Sequence, residues 1–306
     1  MSLLNPPPIH FPFNNANPSY GMDYVLRNLV HDPDVLGAAV YTVARNGSTC
    51  TGIKQASFTY DGNGPIPVST LRAVPVKHGI KEFLGYLFGF TSIAQFNSIG
   101  IHTWDKDANQ NESWLTNPNR KGEGDIGEVY GALARNLKGP NGETKDLIKE
   151  QIEQLRAGNY NRRNIINWYD PFVRGALPAC MYEHAFTVHN GYLNITSSQR
   201  SNDSGLGGAV NPLQSYFFMH LVAKMTGYKP GWVLHTVHDL HIYSNQIEAI
   251  KEFIDNEPKP ATGRLILSDK IGIHTTLEDL EAMDINEIFT IEDYVSNGKY
   301  HIPLTV

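Results

Sequence analysis

Residues 177–186 read LPACMYEHAF: a cysteine seated behind Leu177-Pro178-Ala179 and followed by Tyr182, His184 and Phe186 at alternate positions. Alternation is the side-chain period of a strand. The stretch therefore predicts a thiol at the entrance to a strand, where it can face a cleft. Cys180 and Cys50 are the only cysteines in 306 residues, too few for a disulfide framework. On its residues alone Cys180 reads equally as a buried apolar thiol and as a nucleophile, because free cysteine is among the most buried residue types and reacts as the thiolate. The strand reading excludes a direct dyad with His184, since four residues along a strand span roughly 13 Å.

Outward from this stretch, strands dominate. NIINWY (164–169), HAFTVH (184–189) and YLNITSS (192–198) alternate or run apolar with β-branched and aromatic residues, as strands do. NPLQSYFFMHLVAKMTG predicts a helix with Asn211 as N-cap, Pro212 at the first helical position and Gly227 at the end. VLHTVHDLHIY (233–243) and short runs near 264–268 and 287–291 read as further strands. Towards the N-terminus, Asp23–Val30 predicts a short helix, AAVYTVA (38–44) and KQASFTY (54–60) predict strands, and IKEFLGYLFGF (80–90) an apolar helix. DLIKEQIEQLRAG (146–158) is amphipathic, with Leu147, Ile148, Ile152 and Leu155 on one face and Gly158 as the stop. The class is α/β or α+β. Residues 1–20, rich in proline and asparagine, read as an extended surface arm, and 21–306 has the length of one large domain or two small ones.

Composition bounds the setting. With 41% hydrophobic and 18% charged residues the chain can bury a large core. No run reaches the ~18 to 20 apolar residues of a membrane span, and the N-terminus lacks the pattern of a signal peptide, so a cytoplasmic protein with no membrane contact is expected. A net charge of −6 disfavours a nucleic-acid-binding surface but leaves room for a basic pocket around one phosphorylated small molecule. Arg162-Arg163 in NRRNI, and Arg200-Ser201 in QRSND, supply the forked donors and hydroxyl that a phosphate takes; equally, such arginines often face solvent. SNDSGLGG lacks the lysine of a P-loop and alone reads as a glycine turn. In HTVHDLH, strand spacing puts His235, Asp239 and His241 on one face and His238 on the other. With no HExxH helix and no paired cysteine ligands, a zinc site is disfavoured and no metal is expected.

In order along the chain, IKEFLGYLFG, HTWD, GDIGEVYG, NRRNI, LPAC, RSND, VNPLQSY and DLHIY resemble the thymidylate synthase family, which includes the deoxypyrimidine monophosphate hydroxymethylases. The resemblance runs from about Arg45 to Val306. It implies a single-domain thymidylate synthase-like fold, with a mixed twisted sheet flanked by helices and a homodimer packed through the sheet. It implies Cys180 as the nucleophile on carbon 6 of the base, with Glu82, Tyr130 and Asp203 as further catalytic residues. Glu82 stands among Ile80, Phe83, Leu84 and Tyr86, so a buried carboxylate with a raised pKa is expected. Arg45, Arg162, Arg163, Arg200 and Ser201 would hold the 5′-phosphate, with Arg162 and Arg163 supplied by the other subunit. His241 and Tyr243 would bind the sugar. Trp104, Asp203, Gly207 and Val306 would contact 5,10-methylenetetrahydrofolate.

Asn211 would read the base. A carboxamide accepts from uracil N3–H and donates to O4, whereas cytosine-using members carry aspartate at this point, so dUMP is the expected nucleotide. Met181 after the cysteine, Gly208-Ala209-Val210 before the asparagine and Asn202 within RSND depart from the usual synthase pattern. Small side chains beside the folate would admit water, so hydroxymethylation of dUMP is the expected reaction. The alternatives are reductive methylation of dUMP by a thymidylate synthase, then a cytosine nucleotide hydroxymethylase. From another class stands a catalytically silent nucleotide-binding protein, which the presence of both Cys180 and Glu82 disfavours.

Overall fold

The computed structural model describes residues 8–14, 16–43 and 47–305. Its strands are β1 (Ile9–Phe11), β2 (Ala39–Thr42), β3 (Thr49–Asp61), a small hairpin of β4 (Leu137–Lys138) and β5 (Thr144–Lys145), then β6 (Ile165–Asn167), β7 (Met181–His189), β8 (Tyr192–Gln199), β9 (Asn202–Asp203) and β10 (Lys229–Tyr243). A final hairpin pairs β11 (Arg264–Leu267) with β12 (Phe289–Glu292). One mixed sheet runs β1-β3-β10-β8-β7-β6, with β2 on β3 and β9 on the far half of β10. β10 lies antiparallel to β3 but parallel to β8 and β9. The α/β expectation is met: helices lie against the sheet, foremost Asn211–Thr226, which packs on β8, β10 and the helix Val76–Leu87.

That central helix has no polar stripe. Leu213, Phe217, Phe218, Leu221, Val222 and Met225 are all buried, so it is enclosed on every side rather than amphipathic. The predicted cap is corrected here. Asn211 lies inside the helix, and its side-chain oxygen accepts from Gln199 and Asn202 rather than from the helix's own N–H groups. Within the N-terminal arm Ile9–Phe11 adds a parallel strand to the edge of β3 and Phe11 stacks on Phe58 at 5.2 Å. Three residues between prolines are too few for a readable period.

The hairpin β7–β8 sets the register that matters most. Its two-residue turn, Asn190-Gly191, has φ of 49° and 78°, the left-handed pair of a turn whose twist matches the strands. From this turn His189 pairs with Tyr192, and so on down to Glu183 with Ser198, after which one extra residue shifts the pairing to Met181 with Gln199. The bulge at Tyr182 thus brings Cys180 opposite Arg200, and the Arg200 N–H donates to the Cys180 carbonyl at 2.8 Å.

Candidate active site

Cys180 is half-buried at the mouth of β7. Arg200 Nη2 lies 3.6 Å from its sulfur, and the same guanidinium donates to the carbonyls of Pro178 (2.8 Å) and Ala179 (3.0 Å). The Cys180 N–H donates to the Tyr130 hydroxyl at 3.1 Å. Tyr130 stacks on Tyr86 with ring centroids 4.3 Å apart. Its φ of 46° puts a bulky side chain on a left-handed backbone, a strain of roughly 1–3 kcal/mol that the surroundings must hold in place. Burial pushes the Tyr130 hydroxyl well above the usual range, with the neighbouring Cys180 adding to it. A protonated phenol is therefore the form present at neutral pH.

Tyr86 belongs to the helix Val76–Leu87, which also carries Glu82. Burial raises the Glu82 carboxyl, against hydrogen bonds from Thr103, Tyr86 and Gln214, as the sequence predicts for a carboxylate on an apolar helix. Gln214 Nε2 donates to Glu82 Oε2 at 3.4 Å and to the Gly79 carbonyl at 3.1 Å, while its Oε1 accepts from Asn211 Nδ2 at 3.0 Å. Asn211 Oδ1 accepts from Gln199 Nε2 at 2.9 Å. Gln199 directly precedes Arg200. The contacts therefore close a ring from Cys180 through Arg200, Gln199, Asn211, Gln214, Glu82, Tyr86 and Tyr130 back to Cys180. Such a ring joins a half-buried thiol, a fixed cation, a half-buried carboxyl and a carboxamide at one place.

A model of thymidylate synthase matches residues 28–306. The chain is 39% identical over 267 residues to "Thymidylate synthase" of Shewanella frigidimarina (strain NCIMB 400), covering 86% of this chain and 93% of that protein. It is 38% identical over 266 residues to the protein of that name in Idiomarina loihiensis (strain ATCC BAA-735 / DSM 15497 / L2-TR), with the same coverage.

The chain belongs to the thymidylate synthase family.

At that level its chemistry is folate-dependent one-carbon transfer to carbon 5 of a pyrimidine nucleotide. Asp203 lies on β9 beside β10 and is held by the Gly205 and Leu206 N–H groups and by Gln246; burial raises its pKa against these bonds. His241 Nδ1 is bonded to Asp239 at 3.0 Å and its ring meets Tyr243 edge-on at 5.1 Å. Gly207 stands where a Cβ would come 2.8 Å from Asn211 Oδ1, so the bare backbone keeps the amide accessible. Trp104 is buried behind Tyr86 and Tyr130.

Ser201 is half-buried beside Arg200, and its carbonyl accepts from Gln199 Nε2 at 2.8 Å. Arg162 and Arg163 are exposed on the turn before β6, outside the ring of contacts around Cys180. Arg45 and Val306 lie outside the described residues.

The histidines of HTVHDLH do not converge. His235 is buried against Gln199 Oε1 (2.8 Å), whereas His241 turns to Asp239. Asp239 is further bonded by Tyr41 and Lys54. Despite burial, which opposes it, the bonds from His241, Lys54 and Tyr41 hold Asp239 at about 2. His184 is buried among Trp168, Phe83 and Phe218 and bonded to Ser197, remote in role from Cys180. Sequence reasoning missed Gln199, Gln214 and Gln246. Each is a neutral amide with no local motif to mark it, although Gln214 three residues after Asn211 has the spacing of a helical side-chain pair.

Proposed function

We propose that the chain is a thymidylate synthase that converts dUMP to dTMP. The observation that carries the reading is the ring of contacts joining Cys180 and Arg200 to Asn211 and Glu82, in a chain whose relatives bear that name. Carbon 5 of uracil is a poor nucleophile. Addition of the Cys180 sulfur to carbon 6 breaks the ring double bond and places its electron pair on carbon 5 and O4, making an enolate-like carbon. Arg200 sets positive charge beside the sulfur and towards a bound phosphate. Asn211 meets N3–H and O4 of the base. Glu82, raised by burial, holds or releases a proton near O4 and carbon 5 within the operating pH range.

The residues present suit a flat, hydrogen-bonding heterocycle. Gly207 offers a side-chain-free surface next to Asn211, and Asp203 offers acceptor oxygens at the same loop. Asp203, Gly207, Trp104 and Val306 would hold the folate. When bound, 5,10-methylenetetrahydrofolate supplies the one-carbon unit and, in a synthase, the hydride that reduces it.

The expectation of hydroxymethylation yields to its alternative. Its steric argument rested on Met181 and on Gly208-Ala209-Val210 as openings for water. Met181 is buried, with its sulfur against the Ser215 hydroxyl at 3.3 Å. Gly208 faces Met22, Asn202 and Ser204, and Val210 faces Gly79. Gly208 and Ala209 instead line a small pocket with Met22, Asp23 and Arg72, so their small size does not widen the approach to Cys180.

A homodimer completes the reading. The sheet face opposite the helices carries Thr59, Thr196, Leu234 and Thr236, half-buried with no helix over them among the described residues, and ends in exposed Ile165 and Tyr192. Two such faces packed together would bring Arg162 and Arg163 of one subunit to the phosphate held by Arg200 of the other. Incubation with dUMP and 5,10-methylenetetrahydrofolate tests the reaction. Dihydrofolate formed in step with a methylated nucleotide is the expected result. Tetrahydrofolate together with a nucleotide carrying oxygen from labelled water would establish hydroxymethylation instead.

A further inference from the structure

We infer that Gln214 is a specificity-determining positioning residue, which locks the Asn211 carboxamide in the orientation that reads uracil and rejects cytosine. The inference rests on the dUMP reading above.

An amide's oxygen and nitrogen are told apart by their partners, and here two backbone carbonyls, which only accept, fix the whole chain of amides. At one end Gln214 Nε2 faces the Gly79 carbonyl (3.1 Å) and the Glu82 carboxyl (3.4 Å). Its Oε1 must therefore be the atom turned to Asn211, and Asn211 presents Nδ2 to it at 3.0 Å. At the other end Gln199 Nε2 faces the Ser201 carbonyl at 2.8 Å and donates to Asn211 Oδ1 at 2.9 Å. Gln199 Oε1 accepts from Asn202 Nδ2 at 3.1 Å and pairs with the buried His235 at 2.8 Å. Burial lowers His235 to about 4, so this ring is neutral and serves as donor through Nε2–H. Both ends thus dictate the same orientation for Asn211.

In that orientation Asn211 has one nitrogen hydrogen beyond the bond to Gln214 to offer a base, and an oxygen that meets the base in place of its long bond from Asn202 at 3.3 Å. Uracil matches it, with N3–H towards Oδ1 and O4 towards Nδ2. Cytosine opposes it, because its N3 is an acceptor and its 4-amino group a donor. To accept cytosine Asn211 must flip, which would set oxygen against Gln214 Oε1 and nitrogen against Gln199 Nε2. Gln214 cannot follow, since its own flip would set oxygen against the Gly79 carbonyl and Glu82. Leaving buried donors and acceptors opposed is the strongest basis for rejecting an isosteric ligand. Asn211 alone supplies the groups; Gln214 removes its freedom to turn.

The test compares equilibrium binding of dUMP and dCMP to the full-length protein and to two variants, with thermal unfolding to verify folding. Gln214→Leu keeps the bulk but removes the acceptor; its preference for dUMP over dCMP should fall roughly tenfold to a hundredfold. Gln214→Glu, whose second oxygen carries a proton to donate to the Gly79 carbonyl where the amide nitrogen did, keeps an acceptor towards Asn211 and should retain the preference. If Gln214→Leu does not fold, Gln214→Ser, whose side chain stops short of Asn211, is read in its place. Equal weakening of both nucleotides in the Leu or Ser variant, with the preference intact, overturns the inference in favour of a purely structural role. Loss of the preference in Gln214→Glu as well as in Gln214→Leu overturns it too. A wild-type protein that binds dCMP as tightly as dUMP refutes the substrate reading itself, a separate outcome.

Discussion

Arg200 reaches Cys180 by two routes at once: its backbone N–H donates to the Cys180 carbonyl at 2.8 Å, and its Nη2 stands 3.6 Å from the Cys180 sulfur. The guanidinium is clamped by the Pro178 and Ala179 carbonyls, so its direction is fixed before any ligand binds. A lysine has no planar fork to satisfy both carbonyls while facing the sulfur. Arg200→Lys should lower kcat/KM for dUMP by at least about tenfold and slow alkylation of Cys180 by iodoacetamide. An alkylation rate equal to wild type would show that the cation does not act on the sulfur.

Cys180→Ser should abolish turnover and the release of hydrogen from carbon 5 of dUMP, while nucleotide binding survives, because a serine hydroxyl forms no anion near neutral pH. Tritium release from 5-labelled dUMP measures this directly. Release at the wild-type rate from the serine variant would assign the nucleophile elsewhere.

Glu82→Gln keeps the shape of the side chain and removes its proton transfer. The expected loss in kcat is about 10²- to 10⁴-fold, with dUMP affinity changed far less. Because burial raises the Glu82 carboxyl, the wild-type profile of kcat against pH should also show an acidic limb above the ordinary carboxylate range, and the limb should vanish in the variant. Persistence of the same limb in Glu82→Gln would attribute it to another group.

Sharing of arginines across a dimer has a simple test. An Arg163→Ala chain and a Cys180→Ser chain, each weakly active or inactive, should regain activity when subunits exchange, because one of the two hybrid sites then holds both native residues. No recovery after exchange is verified would mean that each site is built within one chain.

Asp23 gives a pH signature in stability. Burial raises its carboxyl from 3.8 to about 6, against bonds from Ser19 and Ser69 and the charge of Arg72. The folded state then binds the proton more tightly than the unfolded one, so stability falls as pH rises through the window from about 4 to about 6, by up to about 3 kcal/mol. Asp23→Asn removes this titration. Its stability relative to wild type should rise across that window, measured by denaturant unfolding on either side; a difference independent of pH would refute the assignment.

The sequence by itself determined the elements and the cast. Alternation marked β7, β8 and β10, an apolar run bounded by Asn-Pro and glycine marked the central helix, and the ordered motifs named Cys180, Glu82, Arg200 and Asn211. These signals are local: a period of two or about three and a half, a turn residue, a short spacing. Only the tertiary structure decided how the cast is arranged. The Asn190-Gly191 turn alone would set Cys180 against Ser201, and one extra residue at Tyr182 moves Arg200 into that place, since a single-residue slip changes every partner in an antiparallel pair. The amide chain from Gln199 to Gln214 joins residues on a strand and a helix, and the inward turn of Gly208 and Met181 removed a steric argument that their small or unusual side chains had suggested. Orientation of a neutral amide and the face a small residue presents leave no period in a sequence, because both are fixed by partners far along the chain.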